Sequence, residues 1–257
     1  FALAQKDPRV VAITAAMASG CGITKDFVHA FPDRFFDVGI AEEHALTFSA
    51  GLAAGGLKPV FAVYSSFLQR SYDQMIHDVA LQHLPVVFCV DRAGFNNSDG
   101  VTHHGIFDVA FTSHMPNVDI YTPVTYHSLS RSMKAALAGK NPAVIRYPAG
   151  AESEEVISAF YKQGFDEKIA IRSDFVAERS PKILFVTHGR IVKECLKAEN
   201  LLAEQGLLAG TLLCEYISQS DKLTSEIGDY IDRYRPEAVV LVEEEIKRGD
   251  MDWVIYR

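Results

Sequence analysis

The chain has 257 residues, of which 33 are acidic and 25 basic, so its formal net charge is −8. With 48% hydrophobic and 23% charged residues it can bury a large core, which excludes an intrinsically disordered protein. The acidic balance argues against nucleic acid or an anionic membrane as the main partner, because both require a dense basic face. No apolar run reaches the roughly 18–20 residues that cross a bilayer, and we expect a soluble cytoplasmic protein.

The sequence contains none of the short motifs that would by themselves indicate a reaction type. The four cysteines are far apart and form no CxxC pair, so neither a disulfide framework nor a zinc site is expected. The sequence also lacks the P-loop, the dinucleotide-binding GxGxxG, the HExxH zinc motif and the GxSxG nucleophile elbow.

Short apolar runs alternate with helical periodicity over the first 150 residues. Strands are predicted at residues 10–13, 35–38, 59–64, 85–90, 118–121 and 143–146. Helices are predicted at residues 25–31, 42–56 and 125–138, and a further helix carries apolar residues from Leu68 to Val79. This alternation predicts an α/β fold with a mainly parallel sheet and helices on both faces.

The alternation of predicted strands and helices is interrupted after residue 150. Residues 151–180 are acidic and weakly periodic, and we expect a linker. A smaller α/β unit is predicted over 181–257, with strands at 183–187, 207–213 and 238–242 and helices at 192–205 and 224–234. The predicted domains are therefore 1–150 and 181–257, and the second is short enough that we expect it to be truncated.

Two polar loops follow predicted strands. Residues 39–44 follow the second strand, and residues 91–108 follow the fourth. Ligands of parallel sheets bind beyond the carboxyl ends of the strands, so these loops are candidate site segments. The second loop is longer than the usual 2–6 residues and is rich in glycine and charged side chains, although a solvated surface loop could have the same composition.

Five sequence blocks occur in an order that resembles the pyrimidine-binding domain of the transketolase superfamily. They are FDVGIAEEH at 36–44, YSSFLQRSYDQ at 64–74, DRAG at 91–94, DGVTHHG at 99–105 and RYP at 146–148. Within the superfamily they are most similar to the 1-deoxy-D-xylulose-5-phosphate synthase family. The resemblance is dense over residues 7–150. It is weaker over 181–245, where it implies the superfamily's C-terminal domain.

The resemblance implies a role for Glu42. Acidic residues are favoured in the first turn of a helix by the helix dipole alone, and this applies to both Glu42 and Glu43. In the family, a glutamate at the position of Glu42 hydrogen-bonds the aminopyrimidine of thiamine diphosphate and promotes the tautomer that deprotonates the thiazolium. Glu42 is therefore implied as the catalytic and cofactor-binding acid, and Glu43 is given no role.

Further site residues are implied in the same way. Phe67 matches an aromatic residue that stacks on the aminopyrimidine. The positions that match the substrate channel are Tyr64, Arg70, Arg92, Asp99 and His103. Arginine suits fixed contacts with carboxylate or phosphate, and His103 is implied as a second catalytic residue that exchanges a proton with a developing alkoxide.

The implied reaction is the decarboxylative condensation of pyruvate with glyceraldehyde 3-phosphate, with thiamine diphosphate and Mg²⁺ as cofactors and a homodimer as the assembly. The product of that reaction feeds isoprenoid and thiamine biosynthesis. In the family, a separate N-terminal domain with a GDG…N motif holds the diphosphate and Mg²⁺. This sequence has no such motif and no carboxylate cage, so we expect no metal ligand in it and no synthase activity from the chain alone.

Two alternatives remain open at this point. Transketolases and the β subunits of 2-oxoacid dehydrogenases share the glutamate and the fold. A non-catalytic dimerisation or regulatory fragment would also retain this sequence pattern.

One position departs from the family. Relatives usually have RYPRG where this chain has Ala149 in place of the second arginine, which is associated with the phosphate of the acceptor. Loss of a guanidinium removes a charge-assisted contact of about 1.5–3 kcal/mol. We therefore expect a reduced preference for phosphorylated acceptors.

Overall fold

Ten strands form two sheets in the computed structural model, which describes residues 1–95, 99–162, 164–167, 170–175, 180–218 and 221–245. The first sheet has six parallel strands in the order β2-β1-β3-β4-β6-β5. Their bounds are β1 Val10–Thr14, β2 Phe35–Asp37, β3 Lys58–Tyr64, β4 Val87–Asp91, β5 Asp119–Tyr121 and β6 Ala143–Arg146. The predicted parallel α/β sheet is confirmed.

Helices of the first unit connect these strands. They are α1 Ala2–Lys6, α2 Lys25–Ala30, α3 Glu42–Ala54, α4 Ser65–Leu68, α5 Tyr72–Gln74, α6 Asp108–Thr112 and α7 Tyr126–Ala138. Thr125 caps α7 because its side chain accepts from the Ser128 backbone and the Ser128 hydroxyl accepts from the Thr125 backbone. In the described residues no helix is both long and apolar enough to cross a membrane.

The second sheet has four strands in the order β10-β8-β9-β7. These are β7 Ile171–Ser173, β8 Ile183–Thr187, β9 Ala209–Cys214 and β10 Ala238–Val242, and β7 is antiparallel to β9. The helices are α8 Glu154–Phe160, α9 Val192–Glu204 and α10 Asp221–Tyr234. Residues 246–257 of the predicted second unit lie outside the described residues.

The segment predicted as a linker is more ordered than its composition suggests. Residues 151–180 contain helix α8 and strand β7, and β7 adds an edge to the second sheet. The sequence periodicity revealed neither element, because helix α8 has only seven residues and strand β7 only three. The boundaries at 150 and 180 stay a prediction.

Backbone hydrogen bonds join the two units. The Ile217 N–H donates to the Ile120 carbonyl at 2.9 Å, and the Thr122 N–H donates to the Glu215 carbonyl at 3.0 Å. One hydrophobic cluster runs from Ile13 in β1 to Leu212 in β9. The two sheets therefore share a core.

A partly buried acid gives the second unit a pH-dependent stability. Glu199 on α9 accepts from the Thr211 hydroxyl and lies beside Asp174. Burial, reinforced by the hydrogen bond with Asp174, raises the pKa of Glu199 from 4.5 to about 8. Between these values the folded chain holds a proton that the unfolded chain has lost, so the free energy of unfolding falls as pH rises.

We expect Glu199→Gln to remove most of this pH dependence. Because the side chain is partly exposed, the wild-type loss between pH 5 and pH 8 should be about 1–2 kcal/mol. Urea unfolding at the two pH values measures the slope for both proteins. An equal slope in wild type and variant would assign the pH dependence to another group.

Candidate functional site

A tight turn after β2 brings Glu42 to the carboxyl edge of the first sheet. Asp37 ends β2, and its Oδ1 accepts from the backbone N–H groups of Ala16 at 2.8 Å and Gly39 at 3.0 Å. Gly39 has φ +74°, a backbone conformation that glycine adopts without strain. Helix α3 begins three residues later, at Glu42.

The two acids at the start of α3 have different surroundings. The Glu42 side chain is 2% exposed and Glu43 is exposed, although both lie in the first turn. Glu42 Oε1 accepts from Arg70 Nη1 at 2.7 Å. Within the described residues Arg70 is the one side chain that donates to Glu42, so Oε2 accepts no hydrogen bond from them. A buried carboxylate with one oxygen left over is suited to a polar ligand.

The helix predicted around Leu68 to Val79 is broken in the structure. A 3₁₀ turn at Gln69–Ser71 separates α4 from α5, and a π-helix follows at Met75–Ala80. The Ser71 hydroxyl donates to the Leu68 carbonyl at 3.2 Å, a local bond that competes with the regular helix. Phe67 and Arg70 remain three residues apart on one side, with Arg70 Cζ 4.8 Å from the centre of the Phe67 ring.

Phe67 is the centre of an aromatic cluster. Tyr64, at the end of β3, stacks on it with ring centres 5.8 Å apart and planes at 15°. His103 packs edge-on against it, with centres 5.2 Å apart and planes at 77°. His104 faces elsewhere, against Phe95 at 5.1 Å. The structure therefore places His103, and not His104, beside the ring of Phe67.

Arg92 connects this cluster to the long loop. It has φ +62°, and its guanidinium lies 3.6 Å from the centre of the Tyr64 ring. Its Nε donates to Asp99 Oδ2 at 2.8 Å and its Nη1 to Asp91 Oδ2 at 2.9 Å. Burial raises the pKa of Asp91 even though Arg92 acts in the opposite direction. Two carboxylates and an aromatic face thus fix the guanidinium in one orientation.

All seven residues singled out from the sequence lie in one continuous set of contacts. They lie at or after the carboxyl ends of three strands, β2, β3 and β4, and are Glu42, Tyr64, Phe67, Arg70, Arg92, Asp99 and His103. The ion pair of Glu42 with Arg70 lies at one end of the set, and that of Arg92 with Asp99 lies at the other.

A cleft of about 510 Å³ adjoins Arg92 and was not identified from the sequence. Its walls come from residues 19–22, 91–92, 123–126, 129 and 147–152. Gly20 has no room for a side chain, because an added Cβ would lie 1.8 Å from the Tyr64 hydroxyl. Ala149 lines the cleft. The lining comes from separate segments of the chain, of which only 91–92 and 147–148 belong to the sequence blocks, so the blocks alone did not reveal a cleft.

The carboxylate of Glu42 and the aromatic ring of Phe67 together suit a flat, nitrogen-containing ring as ligand. A buried carboxylate can hold a hydrogen bond to a ring nitrogen, and Phe67, which is only partly buried, is an aromatic ring of the kind that stacks on such heterocycles. In the described part of the chain, no three His, Cys, Asp or Glu side chains lie close enough together to bind a metal ion.

Comparison with known sequences gives consistent matches. The family described as "Transketolase, pyrimidine binding domain" matches residues 2–152. The 1-deoxy-D-xylulose-5-phosphate synthase of Oleidesulfovibrio alaskensis is 59% identical over 148 residues, covering 58% of this chain and 23% of that protein. The enzyme of the same name from Clostridium kluyveri is 41% identical over 251 residues, covering 97% and 38%. The chain thus spans well under half the length of these relatives.

Solved structures show the same fold. One titled "Split gene transketolase, inactive beta4 tetramer" has a TM-score of 0.79 at 23% identity, covering 98% of this chain and 78% of that one. Transketolase from Campylobacter jejuni has a TM-score of 0.75 at 19% identity, covering 95% and 38%. At these identities the likeness concerns the fold alone.

Proposed function

Because the chain belongs to the family of transketolase pyrimidine-binding domains, we propose that it binds the aminopyrimidine of thiamine diphosphate in a 1-deoxy-D-xylulose-5-phosphate synthase. The observation that carries this proposal is the buried Glu42 carboxylate at the end of the set that includes Phe67. Relatives named as this synthase at 41–59% identity favour it over other members of the superfamily.

Thiamine diphosphate, when bound, supplies a nucleophilic carbon and an electron sink for decarboxylation of pyruvate. In the proposal, Glu42 holds a proton at a nitrogen of the aminopyrimidine through Oε2, because Oε1 is engaged by Arg70. The Phe67 ring stacks on the heterocycle, and Tyr64, which stacks on Phe67, holds the Phe67 ring in place.

The proposed contacts with the substrates come from the other end of the set of site residues, around Arg92 and His103. His103 is the group placed to exchange a proton with the oxygen of the aldehyde acceptor, and Asp99 and Arg92 line its approach. Arg70 and Arg92 are the cations available for the carboxylate of pyruvate and the phosphate of glyceraldehyde 3-phosphate. We further propose that the diphosphate and Mg²⁺ are held by a separate domain of a dimeric complete enzyme.

Reconstitution tests this function. The chain would be combined with a diphosphate-binding domain of the relatives, thiamine diphosphate, Mg²⁺, pyruvate and glyceraldehyde 3-phosphate. We expect the five-carbon 1-deoxy sugar phosphate from the combination, and none from the chain alone. Ketol transfer between aldose phosphates without that product would instead favour a transketolase.

Calorimetry separates an enzyme from a non-catalytic fragment. Thiamine diphosphate should bind the combination of the two domains, and Glu42→Ala should weaken that binding. Heat of binding that is absent from the combination would favour a dimerisation or regulatory module.

Ala149 gives a prediction about the acceptor. Because Ala149 lines the cleft beside Arg92, an arginine there would add a cation to walls that carry the acidic residues Asp91 and Glu152. We expect Ala149→Arg in the reconstituted enzyme to lower KM for glyceraldehyde 3-phosphate by about tenfold, the effect of one charge-assisted hydrogen bond. Ala149→Gln, of similar length but uncharged, is the matched control. An unchanged acceptor KM would disprove the expected loss of phosphate preference.

A further inference from the structure

The loop that carries Asp99 and His103 is closed at its base by two glycines. The Gly94 N–H donates to the Gly105 carbonyl at 2.8 Å, and the Gly105 N–H donates to the Gly94 carbonyl at 2.8 Å. Gly105 admits no side chain, since an added Cβ would lie 2.3 Å from the Arg92 carbonyl oxygen. His103 lies two residues before Gly105, within the segment that this base closes.

Glu244, from the second unit, contacts one end of the base. It follows β10, and its side chain is 10% exposed. Its carboxylate lies against Gly94, where an added Cβ would be 2.2 Å from Oε2. Burial raises the pKa of Glu244 overall, although Arg190 and the Phe95 backbone N–H both lower it, and Arg190 Nε lies 3.8 Å from Oε1. Glu244 thus packs directly against Gly94.

Glu245 acts on the other end through Arg146. Its side chain is fully buried, with Oε1 2.6 Å from Arg146 Nη2. Arg146 Nη2 also donates to the Gly105 carbonyl at 3.4 Å, and the same guanidinium makes two bonds to Asp108, at 2.9 and 3.2 Å. Glu245 therefore orients the guanidinium that contacts Gly105.

The charge balance suggests which residues can be removed. Arg146 faces two buried carboxylates, those of Asp108 and Glu245. Removal of Glu245 leaves the two-bond pair with Asp108 intact, so no buried charge loses its only partner. The third acid of the run, Glu243, contacts His188 Nε2 at 3.2 Å, and His188 Nδ1 accepts from Arg146 Nη1 at 3.3 Å.

We propose that Glu244 and Glu245 are positioning residues that clamp the base of the loop carrying Asp99 and His103. The clamp couples the end of β10 in the second sheet to a site built on the first. It follows from the contacts of this chain alone and goes beyond the proposed function, which assigns no role to the second unit.

Hydrogen exchange in the 257-residue chain tests the clamp. The amides of Gly94 and Gly105 bond each other, so they exchange only when the base opens. In Glu244→Ala/Glu245→Ala we expect their exchange to be about tenfold faster, the effect of losing the contact with Gly94 and the charged contact with Arg146. Amides of β1 and β8 should keep their wild-type rates. Glu244→Gln/Glu245→Gln should restore slow exchange, because each glutamine keeps the size and a side-chain oxygen of the residue it replaces and so can pack against Gly94 and Arg146.

Glu237→Ala is the matched control, since Glu237 precedes β10 and pairs with Lys182 on the surface, with 71% of its side chain exposed. It should leave Gly94 and Gly105 unchanged. If the double variant does not fold, Glu244→Ala alone is measured in the same way. Unchanged exchange at the base, or acceleration shared equally by β1 and β8, would overturn the clamp.

A kinetic measurement tests the clamp and the proposed function separately. Unlike hydrogen exchange, this measurement rests on the proposed function, because it requires an active reconstituted enzyme. In the reconstituted enzyme, the alanine pair should lower kcat/KM for the acceptor by about tenfold and leave KM for pyruvate unchanged. Faster exchange at Gly94 and Gly105 with wild-type acceptor kinetics would support the clamp and refute the proposed roles of Asp99 and His103.

Discussion

Glu42→Gln is expected to lower kcat of the reconstituted enzyme by about 10²–10⁴-fold, the usual contribution of a positioned acid. Glutamine keeps the size of the side chain but cannot transfer a proton to a ring nitrogen. The fold should tolerate the change, because Arg70, the partner of Glu42, has 45% of its side chain in solvent. Steady-state kinetics and thermal unfolding, measured together, separate loss of chemistry from loss of structure.

Glu43→Gln is the matched control for this prediction. Glu43 lies in the same helical turn and carries the same charge, but it is exposed. It should retain kcat within about twofold, since surface substitutions of this kind have small effects. Wild-type turnover in Glu42→Gln would refute the assignment of the catalytic acid, whereas equal losses in both variants would indicate a general effect of charge at this helix end.

Glu215→Ala should lower the free energy of unfolding by about 3–5 kcal/mol, the cost of breaking a buried ion pair from one side. Glu215, directly after β9, is fully buried and pairs with Arg131 of α7 and, at 2.9 Å, with Arg172 of β7. The Tyr161 hydroxyl donates to it at 2.7 Å. In the alanine variant the guanidinium groups of Arg131 and Arg172 keep only Asp166, which is 60% exposed, as a shared anion. Urea unfolding measures the loss.

Glu237→Ala removes an acid from an exposed ion pair with Lys182 and should change stability by less than about 0.5 kcal/mol. In Glu215→Ala/Arg172→Ala, part of the lost stability should return, because one of the two cations that paired with Glu215 is gone. If Glu215→Ala unfolds at the same urea concentration as wild type, then solvent reaches the three side chains and the pair is not a buried one.

The sequence predicted the parallel sheet well for a physical reason. Strands such as β4 and β6 are buried along their whole length, and uninterrupted apolar runs indicate such strands directly. The predicted bounds of β8 and β10 match the observed ones, Ile183–Thr187 and Ala238–Val242. Glu42 could be chosen over Glu43 only through the resemblance, since both acids satisfy the helix dipole equally.

Other features lay beyond sequence reasoning because they depend on contacts between distant segments. The break in the helix at Gln69–Ser71 leaves the apolar spacing unchanged, so periodicity did not reveal it. The run of acids at 243–245 looks like a solvated turn until the fold places it against Gly94 and Arg146. Strand β7 is too short to be detected, and its pairing with β9 fixes it instead.

The junction between the two sheets has a consequence for self-association. Strand β5 is the last strand of its sheet, and an uncovered outer strand presents backbone groups that can pair with another molecule. Here residues Glu215 to Ile217 occupy that row of groups through their bonds to Ile120 and Thr122. Expressing residues 1–150 without the rest would uncover it, and such a product should form oligomers through strand-to-strand pairing even though its own sheet is complete.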